Sequence, residues 1–241
     1  MLTQEFRVVD KTIGGSTKPY IIAEVGSNFN QSKNTAKDLI DVAAESGADA
    51  VKFQLFRADI LYPNDNKMYE LFKSLELDAS WLSDLSNYAS SQNLHFLASA
   101  FDSTSVQTLQ NIGLPAYKVA SSEATNFPLL IEFAKIGAPL FISTGMCNMT
   151  DIEQIIEVCM CLDNPNIALL QCGAQYPLPE DLTNLSIITK LKDRYGCPVG
   201  FSDHTLGFNA AIAAVGAGST IFEKHFTLDK TAKGPDHFYA M

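Results

Sequence analysis

The sequence predicts an α/β protein folded as a (β/α)8 TIM barrel, and three observations lead there. Eight β-like segments can be counted along the 241 residues, each ending where polar residues gather. Helix-period stretches alternate with them throughout, which implies a parallel sheet. No GxGxxG follows Gly26, where an open doubly wound sheet commonly carries a glycine-rich first turn. The closed barrel is therefore the better solution, and barrels of about 250 residues are routine.

The β-like segments are Tyr20–Gly26, Asp49–Leu55, Leu94–Ala100, Ala116–Ser121, Pro139–Gly145, Ile167–Cys172, Pro198–His204 and Thr220–Thr227. Between them, Ala36, Leu39, Ile40, Ala43 and Ala44 fall on one helical face closed by Gly47. Trp81, Leu82, Leu85, Tyr88 and Ala89 repeat that spacing after a cap at Asp78 or Ser80. Thr150 and Glu153 read as a capping box opening the helix that carries Ile155, Ile156 and Val158. A stripe of Leu182, Leu185, Ile188 and Leu191 marks a further helix, ended near Gly196 and Pro198. The Ala- and Gly-rich stretch Phe208–Ala217 suits a helix packed close against a sheet.

Residues 1–18, with Gly14-Gly15 in their middle, suggest a hairpin plugging the barrel's N-terminal end. The longest connection, Phe56 to Asp78, is expected to be an active-site loop or lid with a short helix around Met68–Leu75. A single domain spanning 1–241 is expected to lack the eighth helix, through truncation or because a partner supplies it.

Composition narrows the function classes. Apolar content of 46% and charged content of 18% are those of an ordinary globular protein. No apolar run reaches the roughly 18 residues needed to span a bilayer, and Met1–Lys11 lacks the layout of a secretory signal. A cytoplasmic protein without a membrane partner is expected. The five cysteines are an odd number without CxxC spacing, so neither a disulfide framework nor a structural zinc site is suggested. A net charge of −10 with no basic stripe argues against nucleic acid as a partner. It leaves room for a small anion, because a few buried lysines and a metal make a locally positive pocket.

The chemistry is expected at the C-terminal strand ends. Strand alternation puts Ser202 and His204 on one face, and Glu223 and His225 on one face of the next segment. The two histidines can bind a divalent metal, or each can be a hydrogen-bonded barrel residue. Lys52 and Lys118 can clamp an anion, with the hydroxyls of Ser99, Ser121, Ser143 and Ser202 completing a phosphate cradle. Glu24 and Glu123 are candidates for proton transfer or for holding sugar hydroxyls. Asp102, Thr144, Cys172, Tyr176 and Asp203 also stand at strand ends.

A set of motifs then resembles one family. Ile22-Ala-Glu-Val-Gly-Ser-Asn-Phe-Asn30, Val51-Lys-Phe-Gln54, Tyr117-Lys-Val-Ala-Ser-Ser-Glu123 and Ile142-Ser-Thr-Gly-Met146 occur in order. Gly200-Phe-Ser-Asp-His-Thr-Leu-Gly207, Glu223-Lys-His-Phe-Thr227 and Gly234-Pro-Asp236 follow. Together, from about Tyr20 onward, they resemble the N-acetylneuraminate (sialic acid) synthase family, including the pseudaminic and legionaminic acid synthases. The resemblance implies condensation of phosphoenolpyruvate with an N-acylated hexosamine, giving a nine-carbon ulosonic acid and phosphate. It implies that His204 and His225 bind Mn²⁺ or Mg²⁺, which polarises the open-chain sugar aldehyde. The resemblance further implies that C3 of phosphoenolpyruvate would attack that aldehyde, that metal-bound water would add at C2, and that phosphate would leave by C–O cleavage. Lys52, Lys118, Ser99, Ser121, Ser143 and Ser202 correspond to the phosphoenolpyruvate clamp. Glu24, Gln54, Glu123, Tyr176 and Asp236 correspond to sugar-side and proton-handling groups. A homodimer and a C-terminal antifreeze-like domain are further traits the resemblance implies, and the domain is expected to be missing from these 241 residues.

The chain departs from the family pattern in two places. Asn28-Phe-Asn-Gln31 stands where Asn-His-Asn-Gly is usual, which removes a histidine able to serve the site. Gln171-Cys172 replaces a His-Cys pair and is followed by Gly173-Ala174, which thins the expected phosphate clamp on that side. Two other readings compete: a Schiff-base aldolase using Lys52 or Lys118 as the amine, and a non-catalytic ligand-binding barrel.

Overall fold

Among the described residues, strand-forming, β-branched and aromatic residues build ten strands, eight of which close into a parallel barrel. The computed structural model describes residues 1–64 and 66–241, so Asp65, within the Phe56–Asp78 connection, lies outside the described residues. Strands β1 (Glu5–Val8) and β2 (Lys11–Gly14) form an antiparallel hairpin. The barrel strands are β3 (Tyr20–Gly26), β4 (Ala50–Leu55), β5 (His95–Ala100) and β6 (Tyr117–Val119), then β7 (Leu140–Ser143), β8 (Ile167–Cys172), β9 (Val199–Asp203) and β10 (Ile221–His225). Closure comes from β10 pairing with β3.

The helices are α1 (Lys33–Glu45), α2 (Ala58–Leu61), α3 (Lys67–Lys73), α4 (Leu82–Ser91), α5 (Ser103–Ile112), α6 (Phe127–Lys135), α7 (Met149–Cys161), α8 (Ser186–Tyr195) and α9 (Asn209–Gly216). This is the (β/α)8 barrel that the alternation predicts. After β10, residues 226–241 continue without a helix or strand. Among the described residues no helix is long and apolar enough to cross a membrane.

Two cores follow from the strand period of two. Outward residues such as Val51, Phe53, Val119 and Phe201 pack under the helices with Leu39, Ile40, Leu85 and Phe133. Each such fully buried side chain contributes about 1.5–3 kcal/mol. Inward residues Tyr20, Ile22, Leu97, Phe141, Leu170 and Ile221 fill the lower barrel, where the hairpin adds Phe6, Val8 and Ile13. Polar contacts pin that hairpin. The Tyr20 hydroxyl lies 2.8 Å from His95 Nδ1, and His95 Nε2 lies 2.9 Å from Asp10 Oδ1.

Some local expectations are corrected. The box opening α7 uses Asn148 and Asp151 rather than Thr150 and Glu153, because the Asn148 side chain already accepts from the Thr150 and Asp151 amides. Leu182 is exposed and belongs to a 3-10 turn, Glu180–Leu182, so α8 starts only at Ser186.

The barrel interior leaves no room at Gly200. A Cβ there would lie 2.8 Å from Ile221 Cβ, 2.9 Å from the Ile221 carbonyl oxygen and 3.0 Å from Leu170 Cγ. Gly200→Ala is therefore expected to cost about 1–3 kcal/mol through overpacking. A thermal melt checks this, and an unchanged Tm would show slack between β9 and β10.

Candidate active site

Moving up each strand, the inward positions change from apolar to polar at the C-terminal end. On β3 Ile22 gives way to Glu24, on β4 Ala50 to Lys52, and on β5 Leu97 to Ser99. Phe141 gives way to Ser143, Leu170 to Cys172, and Ile221 to Glu223. These side chains line a cavity of about 280 Å³ together with Gln54, Lys118, Ser121, Tyr176, Ser202, His204 and His225. Its outer wall includes Phe101, Ala120, Met146 and Ala174.

A run of buried charges crosses the floor. Lys52 Nζ stands 2.8 Å from Glu24 Oε2 and 3.8 Å from Glu223 Oε2. Lys118 Nζ stands 3.6 Å from Glu223 Oε1. Lys52 donates to Ser99 Oγ at 3.1 Å, and Lys118 donates to Ser143 Oγ at 2.7 Å. Ser202 donates to Glu223 Oε1 at 2.9 Å, while Gln54 Nε2 donates to Glu24 Oε1 at 2.7 Å.

The charge states follow from these contacts. Burial alone would raise the Glu223 carboxyl, but Lys118 and Lys52 outweigh it and hold Glu223 well below the usual carboxylate range. Burial raises Glu24, against the pull of Lys52. Burial would lower the Lys52 ammonium, yet Glu223 and Glu24 together keep it raised. Lys118 is lowered, mainly by burial. Two cations thus sit in a water-poor floor beside serine hydroxyls, a layout suited to an anion bearing phosphate and carboxylate groups.

The histidines occupy the adjoining wall, with ring centroids 5.8 Å apart. His204 Nδ1 is 2.7 Å from the Gly173 carbonyl oxygen, which can only accept, so Nδ1 carries the proton and the Nε2 lone pair is free. Among the described residues, the buried His225 Nδ1 has no hydrogen-bond partner. Burial pushes both imidazoles down to about 4, His204 further opposed by His225, so both are neutral near pH 7. Neutral imidazoles with a free lone pair and an orphaned buried nitrogen are donors suited to a divalent ion. Among the described residues no group of three or more His, Cys, Asp or Glu side chains gathers as a metal cluster. The pair therefore fits a metal that takes its remaining ligands from substrate or solvent oxygens. Tyr176 covers His204, ring centroids 4.1 Å apart.

Gly26 makes the far edge of the site possible. Its φ of +55° is left-handed, and a Cβ there would lie 2.6 Å from Asp236 Oδ2 and 2.9 Å from the His225 ring. Asp236 Oδ2 accepts from the Ser27 amide at 2.9 Å and from its hydroxyl at 2.8 Å. Its Oδ1 accepts from the Tyr239 hydroxyl at 2.8 Å. Burial would raise this carboxyl, but His225 and Ser27 hold it down.

The structure brings together Glu24, Lys52, Gln54, Ser99, Lys118, Ser121, Ser143, Tyr176, Ser202, His204 and His225. It does not bring Glu123 there. That side chain sits in the turn before α6 and accepts from Asn126 Nδ2 at 2.9 Å. Asp236 also stands behind the cavity wall, its oxygens taken by Ser27 and Tyr239. Other strand-end residues face elsewhere: Asp102 caps α5, and Asp203 binds Lys224 at 2.8 Å outside the barrel. Thr144 donates to the Leu170 carbonyl.

One family departure lies away from the cavity, and the other reaches it only through Ala174 in the outer wall. Phe29 is buried with Phe53 and Trp81, and Gln171 points outward to donate to the Thr183 carbonyl at 3.0 Å. Gln171 is therefore not part of the cavity lining, and the expected thinning on that side rests on Ala174 alone. Glu223, central to the charge run, stands with His225 among the strand-end residues, but the sequence assigns it no role. Its place two residues before His225 on one strand was the available signal. Nothing in the sequence marks Tyr239, whose ring packs 5.2 Å from that of His225.

Known proteins resemble this chain along most of its length. The sequence profile described as the NeuB family matches residues 39–241. An N,N'-diacetyllegionaminic acid synthase of Campylobacter jejuni is 41% identical over 237 residues, covering 91% of this chain and 71% of that protein. A protein of the same description from Legionella pneumophila is 39% identical over 249 residues, covering 96% of this chain and 70% of its own. The crystal structure of an N-acetylneuraminic acid (sialic acid) synthetase from Leptospira borgpetersenii superposes with a TM-score of 0.95 at 32% identity, covering 100% of this chain and 84% of that one.

Proposed function

The chain belongs to the NeuB family of sialic acid synthases, and from that premise we propose that it condenses phosphoenolpyruvate with an N-acylated hexosamine in a metal-dependent reaction. The observation that carries this reading is the run Glu24–Lys52–Glu223–Lys118 beside serine hydroxyls and two neutral imidazoles in one cavity.

In this reading Lys52 and Lys118, with Ser99, Ser143 and Ser202, bind the phosphate and carboxylate of phosphoenolpyruvate. Those anions exchange places with part of the Glu223 and Glu24 contacts, so the buried lysines are never left unpaired. His204 and His225 would hold Mn²⁺ or Mg²⁺, which would supply a Lewis acid for the open-chain sugar aldehyde. The new bond joins C3 of phosphoenolpyruvate to the aldehyde carbon, whose oxygen takes up a proton. Water adds at C2, and the C2–O bond to phosphate breaks. Glu24, raised by burial and aligned by Gln54, is placed to exchange protons with the oxygen that changes charge. Tyr176 closes the sugar side over His204 and sheds water from it.

Phosphate release measured with a panel of N-acylated hexosamines tests this and names the sugar. Release is expected only with both substrates and added Mn²⁺, falling to background in EDTA. A protein that binds neither phosphoenolpyruvate nor Mn²⁺ would end this reading in favour of a non-catalytic barrel. The lowered Lys118 ammonium also favours a Schiff-base aldolase as second reading. Sugar-dependent activity surviving EDTA, with an adduct trapped by borohydride, would establish that instead.

A further inference from the structure

Residues 227–241 form a loop whose two ends meet. The Met241 amide donates to the His225 carbonyl at 2.8 Å, and the Thr227 amide donates to the Met241 carbonyl at 3.0 Å. Between these ends the loop is tied to the rest of the barrel mouth by Asp236 and His237.

His237 is only 2% exposed and has no part in the chemistry described above. Its Nε2 lies 3.1 Å from Asn30 Oδ1, in the loop that follows β3. Its Nδ1 lies 2.6 Å from Thr227 Oγ1, at the start of its own loop. The carboxamide oxygen can only accept, so Nε2 donates and Nδ1 accepts from the threonine hydroxyl. A rigid ring with donor and acceptor on opposite edges therefore spans the two loops. The backbone is shaped to receive it. Gly234 has φ +152°, and a Cβ there would lie 2.7 Å from His237 Cδ2. Asn30 itself is left-handed, with φ +48°.

We propose that His237 is a positioning residue for the sugar side of the site, bolting the closing loop to the loop after β3. The bolt fixes where its neighbour Asp236 meets Ser27 and where Tyr239 stands against His225 and Tyr176. The Lys52 and Lys118 subsite hangs on β4 and β6 and does not depend on it. The assignment of a sugar side rests on the reading given above.

His237→Ala is expected to raise the KM for the amino sugar by about 10- to 100-fold. Affinity for phosphoenolpyruvate alone, measured calorimetrically, should stay within about twofold. Hydrogen exchange should speed up in residues 27–31 and 236–241 and remain unchanged in the barrel strands. His237→Gln, which can still donate to Asn30, should recover part of the lost sugar affinity. If phosphoenolpyruvate affinity falls in step with sugar affinity, or exchange rises through the strands, His237 is a general structural residue and the proposal fails. It fails equally if neither KM nor exchange moves. A wild-type enzyme inactive with every sugar would instead overturn the functional reading, and hydrogen exchange would then decide the bolt alone.

Discussion

Lys52→Met is expected to abolish turnover and to weaken the fold at once. The ammonium sits between two buried carboxylates, 2.8 Å from Glu24 and 3.8 Å from Glu223, and is 3% exposed. Deleting it leaves Glu24 with Gln54 as its remaining partner and Glu223 dependent on Lys118 and Ser202. Breaking a buried pair in this way typically costs about 3–5 kcal/mol, because a desolvated charge loses its counter-ion. The anion subsite also loses one of its two cations, so kcat/KM should fall by about 10³ or more, ~4 kcal/mol of transition-state stabilisation. The two effects can be separated. Adding Glu24→Gln removes one stranded carboxylate and should restore much of the thermal stability without restoring phosphate release, a coupling read from a double-mutant cycle. A folded Lys52→Met variant that binds phosphoenolpyruvate and turns it over near the wild-type rate would remove Lys52 from the clamp.

What the sequence showed of this site tracks strand geometry. Glu24, Lys52, Ser99, Ser143, Ser202 and His225 are legible because a strand repeats every two residues, and inward positions near each strand's C-terminal end face the mouth. Beyond the strand ends that rule lapses. Glu123 follows β6 through a turn, and its direction is set by its bond to Asn126 rather than by any period. Phe29 and Gln171 were weighed as losses to the site because their motif neighbours belong there. Backbone direction sends one into the helix-packed core and the other to a loop carbonyl. At the start of α7 several residues had capping chemistry, and only the extended backbone at Asn148, φ −88° and ψ 176°, decided among them. His237 was least legible, since its partner Asn30 is 207 residues away in sequence.

His225→Gln should cost more activity relative to stability than any other change at the mouth. The buried Nδ1 of His225 has no hydrogen-bond partner among the described residues, so replacing the ring strands none of their groups at that atom. His204 differs, because its Nδ1 satisfies the Gly173 carbonyl at 2.7 Å. His204→Ala should therefore lose a further ~1 kcal/mol of stability for the hydrogen bond. If the pair holds the metal, either change removes one of the two protein donors, and the aldehyde loses its Lewis acid. A fall of about 10³ in kcat/KM is expected for each, equivalent to ~4 kcal/mol. Binding of Mn²⁺, followed by calorimetry or electron paramagnetic resonance without substrates, should weaken in parallel. Phosphoenolpyruvate binding in EDTA should persist, because Lys52 and Lys118 stand on other strands. A His225→Gln enzyme that keeps wild-type Mn²⁺ affinity would place the metal elsewhere. One that loses Mn²⁺ but keeps full turnover would make the chemistry metal-free, and the lowered Lys118 amine would become the group to pursue.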